Sequence, residues 1–229
     1  MNVAIDFGIS NTDIAVSKDA NVDFFTLPSK KIDHSMLDEI FKHLNIDIDD
    51  VDKIAVTGGK SDSLESIYKN VEVIKINETN AIGCGAIEIY NTHEPFVVIS
   101  AGTGTACIHH QNGEFNYIGG IAIGGGTLQG FGNLVLNSSS IDEITKKATF
   151  GDRKNIDLLI GDVVNDIGVL NPSVTASNFA KLKKKDGVSE NDIAAALLNM
   201  IGEVIGTIAY LNASLCGIKK VHFIGRVST

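Results

Sequence analysis

The sequence predicts an α/β chain built of two similar lobes with a cleft between them. Three observations predict it. The order strand–strand–strand–helix–strand–helix can be read twice along the 229 residues. A glycine turn follows the first strand of each half, Asp6-Phe7-Gly8 in one and Ala101-Gly102-Thr103-Gly104 in the other. The composition, 44% hydrophobic and 21% charged, is that of a chain able to bury a core. No short repeat or Pro-rich linker divides it. The boundary is expected at Thr92-His93-Glu94-Pro95, giving lobes 1–93 and 94–229.

In the first half, Val3–Ile5 reads as a buried strand running into a glycine turn. Ile14 with Val16, and Val22 with Phe24, alternate with other residues and predict two more strands that meet near Lys18–Asn21. Met36, Leu37, Ile40, Phe41 and Leu44 have helical spacing. Lys53–Thr57 reads as a strand capped by Gly58-Gly59, Ser61–Tyr68 as a weak helix, Val71–Ile76 as a strand and Asn80–Ile89 as a helix of small residues. The pattern restarts with a strand at Phe96–Ser100. Ala106–His110 and Phe115–Ile118 flank the hairpin turn Gln111-Asn112-Gly113. Helices are predicted at Thr127–Val135, Ile141–Ala148 and Asp192–Leu215, the last interrupted only by Gly202 and Gly206, and a final strand at Val221–Ile224. His109 and His110 face opposite ways on one strand and read as structural; Lys183–Lys185 reads as a solvated helix end.

Bulk properties exclude several classes. The net charge of -9 speaks against a nucleic-acid partner, whose phosphates select basic patches. Cys84, Cys107 and Cys216 are far apart and lack zinc-ligand spacing, so all three are expected as buried free thiols in a reducing cytoplasm. The start of the chain has no basic segment of the export type, and no apolar run is read as a membrane span.

Phosphates need backbone N–H groups that approach without a Cβ in the way. The segments Asp6-Phe7-Gly8-Ile9-Ser10-Asn11-Thr12 and Ala101-Gly102-Thr103-Gly104-Thr105 offer such turns at matching places. Either alone is an ordinary hairpin; as a pair they can hold a nucleotide's phosphates from two sides, with hydroxyls from Ser10, Thr12, Thr103 and Thr105. Gly124-Gly125-Gly126 opens the Thr127 helix and suits an anion, a nucleotide base and ribose, or plain helix–sheet packing. Neither a Walker P-loop nor a dinucleotide fingerprint is present. Asp6, at the end of the first strand, can hold Mg²⁺ near phosphates or accept in an Asx turn. Glu78, opening the Asn80 helix, can take a proton from a substrate hydroxyl or serve the helix N-terminus.

Thr57-Gly58-Gly59, Glu78 with Ala81, Gly102-Thr103-Gly104-Thr105, Gly119-Gly120, Gly124-Gly125-Gly126 with Gln129-Gly130, Gly151-Asp152-Arg153 with Asp157-Leu158, and Thr175-Ala176-Ser177-Asn178-Phe179 stand in an order and spacing that resemble the type II pantothenate kinases. These belong to the superfamily of acetate and sugar kinases, heat-shock ATPases and actin, and the resemblance covers nearly the whole chain. It implies two ribonuclease-H-like lobes, the actin-like ATPase fold. It implies ATP- and Mg²⁺-dependent phosphorylation of the primary hydroxyl of pantothenate, the first step of coenzyme A biosynthesis. By the same resemblance Glu78 is the catalytic base, and Gly8, Ser10, Asn11, Thr12, Gly102, Thr103, Gly104 and Thr105 hold phosphates. Gly124, Gly125, Gly126, Gln129 and Gly225 lie on the adenosine side, and Tyr117 and Gly119 meet the acceptor. A homodimer through Asp192–Leu215 is implied as well.

The sequence departs from the family in three places. Tyr117 stands where the family has arginine. The first loop, Gly-Ile-Ser-Asn-Thr-Asp, is one residue longer than the usual Gly-Gly-Thr. The second lobe is read as lacking the family's last strand and helix. Tyr117 favours a kinase for another small hydroxylated metabolite; the short second lobe favours a non-catalytic ATP-binding regulatory paralogue.

Overall fold

Alternation organises the first unit. In Asn2–Phe7 (β1), Val3, Ile5 and Phe7 are buried while Asn2, Ala4 and Asp6 lie open, the period of two of a strand with one face in the core. The computed structural model describes residues 1–19, 21–32, 34–59, 61–164, 168, 170–182 and 187–227. It divides into two compact units, Met1–His93 and Glu94–Thr229.

Unit 1 continues with Asn11–Lys18 (β2) and Asn21–Pro28 (β3), an antiparallel meander from β1. His34–Leu44 (α1) follows and buries Met36, Leu37, Ile40 and Phe41 in one cluster with Val3, Ile5 and Phe7. Lys53–Gly58 (β4) pairs parallel with β1, and Val71–Lys75 (β6) pairs parallel with β4. The segment expected as a weak helix, Ser61–Tyr68, instead forms a 3-10 turn at Ser61–Ser63 and a short strand, Ile67–Tyr68 (β5). β5 returns against β6 through Lys69 and Asn70, whose φ values of 46° and 70° make a two-residue hairpin turn. The sheet order is β3-β2-β1-β4-β6-β5. Glu78–Tyr90 (α2) completes the unit; the Asn77 side chain accepts from Thr79 N–H and caps its start. Cys84 is exposed on α2, contrary to the expectation of three buried thiols. α2 turns Gly83 and Ala86 inward and leaves position 84 outside, whereas Cys107 is buried and Cys216 half-buried.

Unit 2 starts with Phe96–Ala101 (β7), followed by Thr105–Gln111 (β8) and Glu114–Ile121 (β9). Asn112 and Gly113, at φ 54° and 80°, close the β8–β9 hairpin. His110 is buried between Phe96 and Phe115, with ring centroids 4.7 and 4.9 Å away. Gly125–Leu136 (α3) and Ile141–Ala148 (α4) come next, then a 3-10 turn at Arg153–Asn155, Leu158–Leu159 (β10), the single turn Ile160–Val163 (α5) and Thr175–Ser177 (β11). Glu190–Leu215 (α6) runs unbroken through Gly202 and Gly206, and Val221–Ile224 (β12) pairs parallel with β7, giving the order β12-β7-β8-β9. By length and composition α6 could cross a membrane. In this fold Ile193, Leu197, Ile201 and Ile205 join the core formed with Val97, Ile99, Leu128 and Ile144. Lys183–Lys185 lies outside the described residues.

The Gly151-Asp152-Arg153 and Thr175–Phe179 motifs have a structural employment. A Cβ at Gly151 would lie 2.0 Å from Asn191 O, so only glycine lets the chain pass the start of α6. Beyond it, Asp157 is fully buried. Its carboxylate accepts from Phe179 N–H at 2.9 Å, and Arg153 Nη1 stands 3.5 Å away. Arg153 also donates to Thr175 Oγ1, Thr175 donates to Glu203 on α6, and Asn178 donates to the other Glu203 oxygen. Phe179 keeps a φ of 59°, unusual for a bulky residue, because this bond fixes its N–H. Removing the buried carboxylate leaves the Phe179 N–H without its acceptor and takes a counter-charge from Arg153, which keeps its bonds to Thr175 and Ser173. Asp157→Ala is therefore expected to lower stability by roughly 3 kcal/mol, read from the urea midpoint. A loss within about 0.5 kcal/mol, the range of an ordinary surface substitution, would show that the network carries no such weight.

Candidate active site

The open face of the unit 1 sheet carries two adjacent rows set by register. Ala15, Ala4 and Ala55 lie side by side on β2, β1 and β4; one step on come Asp13, Asp6 and Thr57. A depression of about 390 Å³ opens there, walled by Phe24, Ile76 and Ala81, with Asp6, Asp13, Thr26 and Thr57 at one end. Its lining is too apolar for a triphosphate. The ionisable side chains lie in the acidic row at its margin.

Asp6 and Asp13 are direct cross-strand partners, an arrangement in which like charges repel. Thr26 Oγ1 donates to Asp13 Oδ1 at 2.6 Å. Gly58, at φ 89°, lets Asp6 lean on the end of β4: a Cβ there would lie 2.7 Å from Asp6 Oδ1. Part of Asp6 stays open to solvent, yet its carboxyl is held above the ordinary value, first by desolvation against the sheet, then by the charges of Glu78 and Asp13. Glu78, exposed in the first turn of α2, thus belongs to the same electrostatic group; because Asn77 caps the helix, Glu78 is not needed for that. Thr57 Oγ1 is buried with no hydrogen-bond partner among the described residues. Carboxylate and hydroxyl oxygens of this kind form a donor set that suits a hard divalent cation.

The Gly8 loop is tight: a Cβ on Gly8 would lie 2.7 Å from Asn11 O, and Ser29 Oγ donates to Gly8 O at 2.6 Å. Ser10 is exposed at its tip and Asn11 begins β2. Thr12 is buried and its hydroxyl meets Ser29 Oγ at 3.3 Å, so that side chain holds the loop from within.

In unit 2, the carbonyls of Gly102 and Thr103 accept from the N–H groups of Gly125 and Gly126 at 2.7 and 3.0 Å. A Cβ on Gly124 would lie 2.8 Å from both of those carbonyls. The triple glycine therefore seats α3 on the Gly102 hairpin. Thr105 is buried and donates to Ile123 O at 2.7 Å. Gly102 and Gly104 differ: a Cβ on either would meet nothing closer than 3.4 Å, and neither has positive φ. Internal packing does not require glycine at these two positions, and the lack of a Cβ leaves their backbone open to close approach. Gly225, at φ 95°, lies against Ala101. Gln129 is half-buried on α3. Tyr117 is 61% exposed on β9, and its hydroxyl lies 2.9 Å from where a Cβ on Gly120 would stand, beside the β8–β9 bulge and Gly119 at φ 132°. The expected residues thus gather in two groups, one in each unit. Sequence reasoning missed Asp13 and Thr57, although alternation from Asp6 across paired strands puts them in its row.

A family model described as Fumble matches residues 86–228. The chain belongs to this family, that of the type II pantothenate kinases. A type II pantothenate kinase of Bacillus cereus (strain G9842) is 28% identical over 232 residues, covering 97% of this chain and 82% of that protein. Another, from Bacillus cereus (strain ATCC 10987 / NRS 248), is 29% identical over 182 residues, covering 76% of this chain and 65% of that protein. The chain spans about two thirds of the length of several such curated relatives. Among solved structures, the activator of the 2-hydroxyisocaproyl-CoA dehydratase from Clostridium difficile with bound ADPNP aligns at a TM-score of 0.66 and 14% identity, over 99% of this chain and 80% of that one. That likeness shows the actin-like ATPase fold.

A raised carboxyl pKa has a stability consequence. Asp6 costs nothing while protonated, and its stabilising balance is lost as pH rises through its folded pKa. Asp6→Asn is therefore expected to raise the thermal midpoint at pH 7–8 in metal-free buffer, with the gain shrinking toward pH 4. A gain independent of pH, or none, would contradict the crowding of these carboxylates.

Proposed function

We propose that the chain transfers the γ-phosphoryl group of ATP to the primary hydroxyl of pantothenate, opening coenzyme A synthesis in the cytoplasm. The observation that carries this reading is the electrostatic grouping of Asp6 and Glu78 at the ends of β1 and α2 in a member of the Fumble family. Glu78 takes the proton of the acceptor hydroxyl while the oxygen attacks phosphorus in line and ADP leaves. Mg²⁺ would be held by Asp6, directly or through water, and Asp13 and Thr57, from the same row, could contribute oxygens. The metal supplies charge neutralisation for the phosphates. The backbones of Gly8–Asn11 and Gly102–Gly104 meet the phosphates, with the hydroxyls of Ser10 and Thr103. The interior positions of Thr12 and Thr105 favour a supporting part for those two. Gly124, Gly125, Gly126, Gln129 and Gly225 serve the nucleoside side, Tyr117 and Gly119 the acceptor.

Glu78→Gln is expected to bind ATP as the unaltered chain does while losing at least about 10²-fold in pantothenate-dependent ADP release, the usual weight of a general base. Undiminished turnover would remove Glu78 from the chemistry.

A second reading keeps the kinase and changes the acceptor. It rests on Tyr117: a phenol on a glycine floor binds through its ring face and one hydroxyl and offers no fixed positive charge. We also infer a homodimer through α6, whose exposed Val204, Tyr210, Leu211 and Leu215 flank Gly202 and Gly206, both open to close approach.

A further inference from the structure

We propose that Arg226 is the cation that meets the nucleotide's phosphates on unit 2, an inference that rests on the kinase reading above. The glycine loops of this unit spend much of their donor capacity internally. Gly102 N–H donates to Gly104 O, and Gly125 and Gly126 donate to the hairpin carbonyls. The Thr105 hydroxyl donates to Ile123 O and the Thr127 hydroxyl to Ala122 O. Backbone and the Thr103 hydroxyl orient a phosphate without neutralising it. The sequence from Phe96 to Thr145 contains no lysine or arginine, while Glu114, Asp142 and Glu143 are acidic. A polyphosphate held by this unit therefore needs a charge from elsewhere.

The end of β12 supplies one. Gly225, at φ 95°, packs its α-carbon against Ala101, where a Cβ would lie 2.5 Å from the carbonyl oxygen. Val227 N–H donates to Ala101 O at 3.2 Å, and Val227 Cγ2 lies 3.1 Å from where a Cβ on Gly125 would stand. Arg226 leaves the chain between these two anchored residues, exposed, beside both the Gly102 hairpin and the start of α3. Three other cations of the unit lie elsewhere: Lys220 pairs with Glu94 at the opposite end of β12, Lys147 with Glu190 at the start of α6, and Arg153 belongs to the Asp157 network. A guanidinium, permanently charged and forked, suits two phosphate oxygens at once.

The test is calorimetric titration of the full chain with ATP, ADP and adenosine. The unaltered chain is expected to bind ATP and ADP. In R226Q both should weaken about tenfold, the weight of one charge-assisted contact, while adenosine binding stays unchanged. R226K, which keeps the charge without the fork, should fall between. Equal ATP affinity in the unaltered chain and R226Q overturns the inference alone, as does a parallel loss of adenosine, which would mark a role in folding. An unaltered chain that binds no nucleotide overturns the kinase reading and this inference together. Should R226Q not fold, R226K carries the decision: weaker ATP with unchanged adenosine supports the assignment, and unchanged affinity for both overturns it.

Discussion

A strand can send only every second side chain into a core. β1 is bonded on both sides, antiparallel to β2 and parallel to β4, and its Val3, Ile5 and Phe7 anchor the packing against α1. That commitment forces Asp6 to the other face. The same registers bring Asp13 and Thr57 into its row, and the chain leaving β6 brings Glu78 into its field. Slipping any of these pairings by one residue would exchange the acids for the core. The acidic row is thus a consequence of how the hydrophobic cluster is built, and the repulsion it contains is sustained by that cluster's burial.

Unit 2 solves a different problem. Three glycine segments, Gly102–Gly104, Gly124–Gly126 and Gly225, converge at one end of its sheet, and most of their conformational licence goes into fitting against one another. α3 docks on the hairpin through two N–H···O bonds, and the end of β12 docks on Ala101. This end of the sheet is preorganised in backbone but poor in charge, which gives a single arginine placed there unusual weight.

Much of this was legible in the sequence, for physical reasons. The period-2 alternation of β1 and β2 and the helical spacing of α1 are strong because each element buries one face, while β7 shows as a short apolar run because it is buried on both. Asn112-Gly113 announced its hairpin because both positions tolerate positive φ. Ser61–Tyr68 misled because Lys69-Asn70 makes a two-residue turn without glycine, and a two-residue strand is too short to show alternation. Thr12 and Thr105 read as phosphate donors because a hydroxyl next to a glycine turn looks available; only coordinates show them occupied by Ser29 and Ile123. The triple glycine before α3 was ambiguous for the same reason: an open cradle and a tight docking site both ask for the absence of Cβ. Asp13 went unnoticed because its meaning comes from a cross-strand partner, not from its neighbours in sequence.

The central claim, that the acidic row of unit 1 is where a nucleotide's metal ion is held, is tested most directly by a crystal structure with a non-hydrolysable ATP analogue and Mg²⁺. The account predicts a metal joined to Asp6 directly or through one water, with phosphate oxygens in contact with the backbone of Gly8–Asn11. A metal bound away from Asp6, or phosphates remote from Gly8–Asn11, would contradict it.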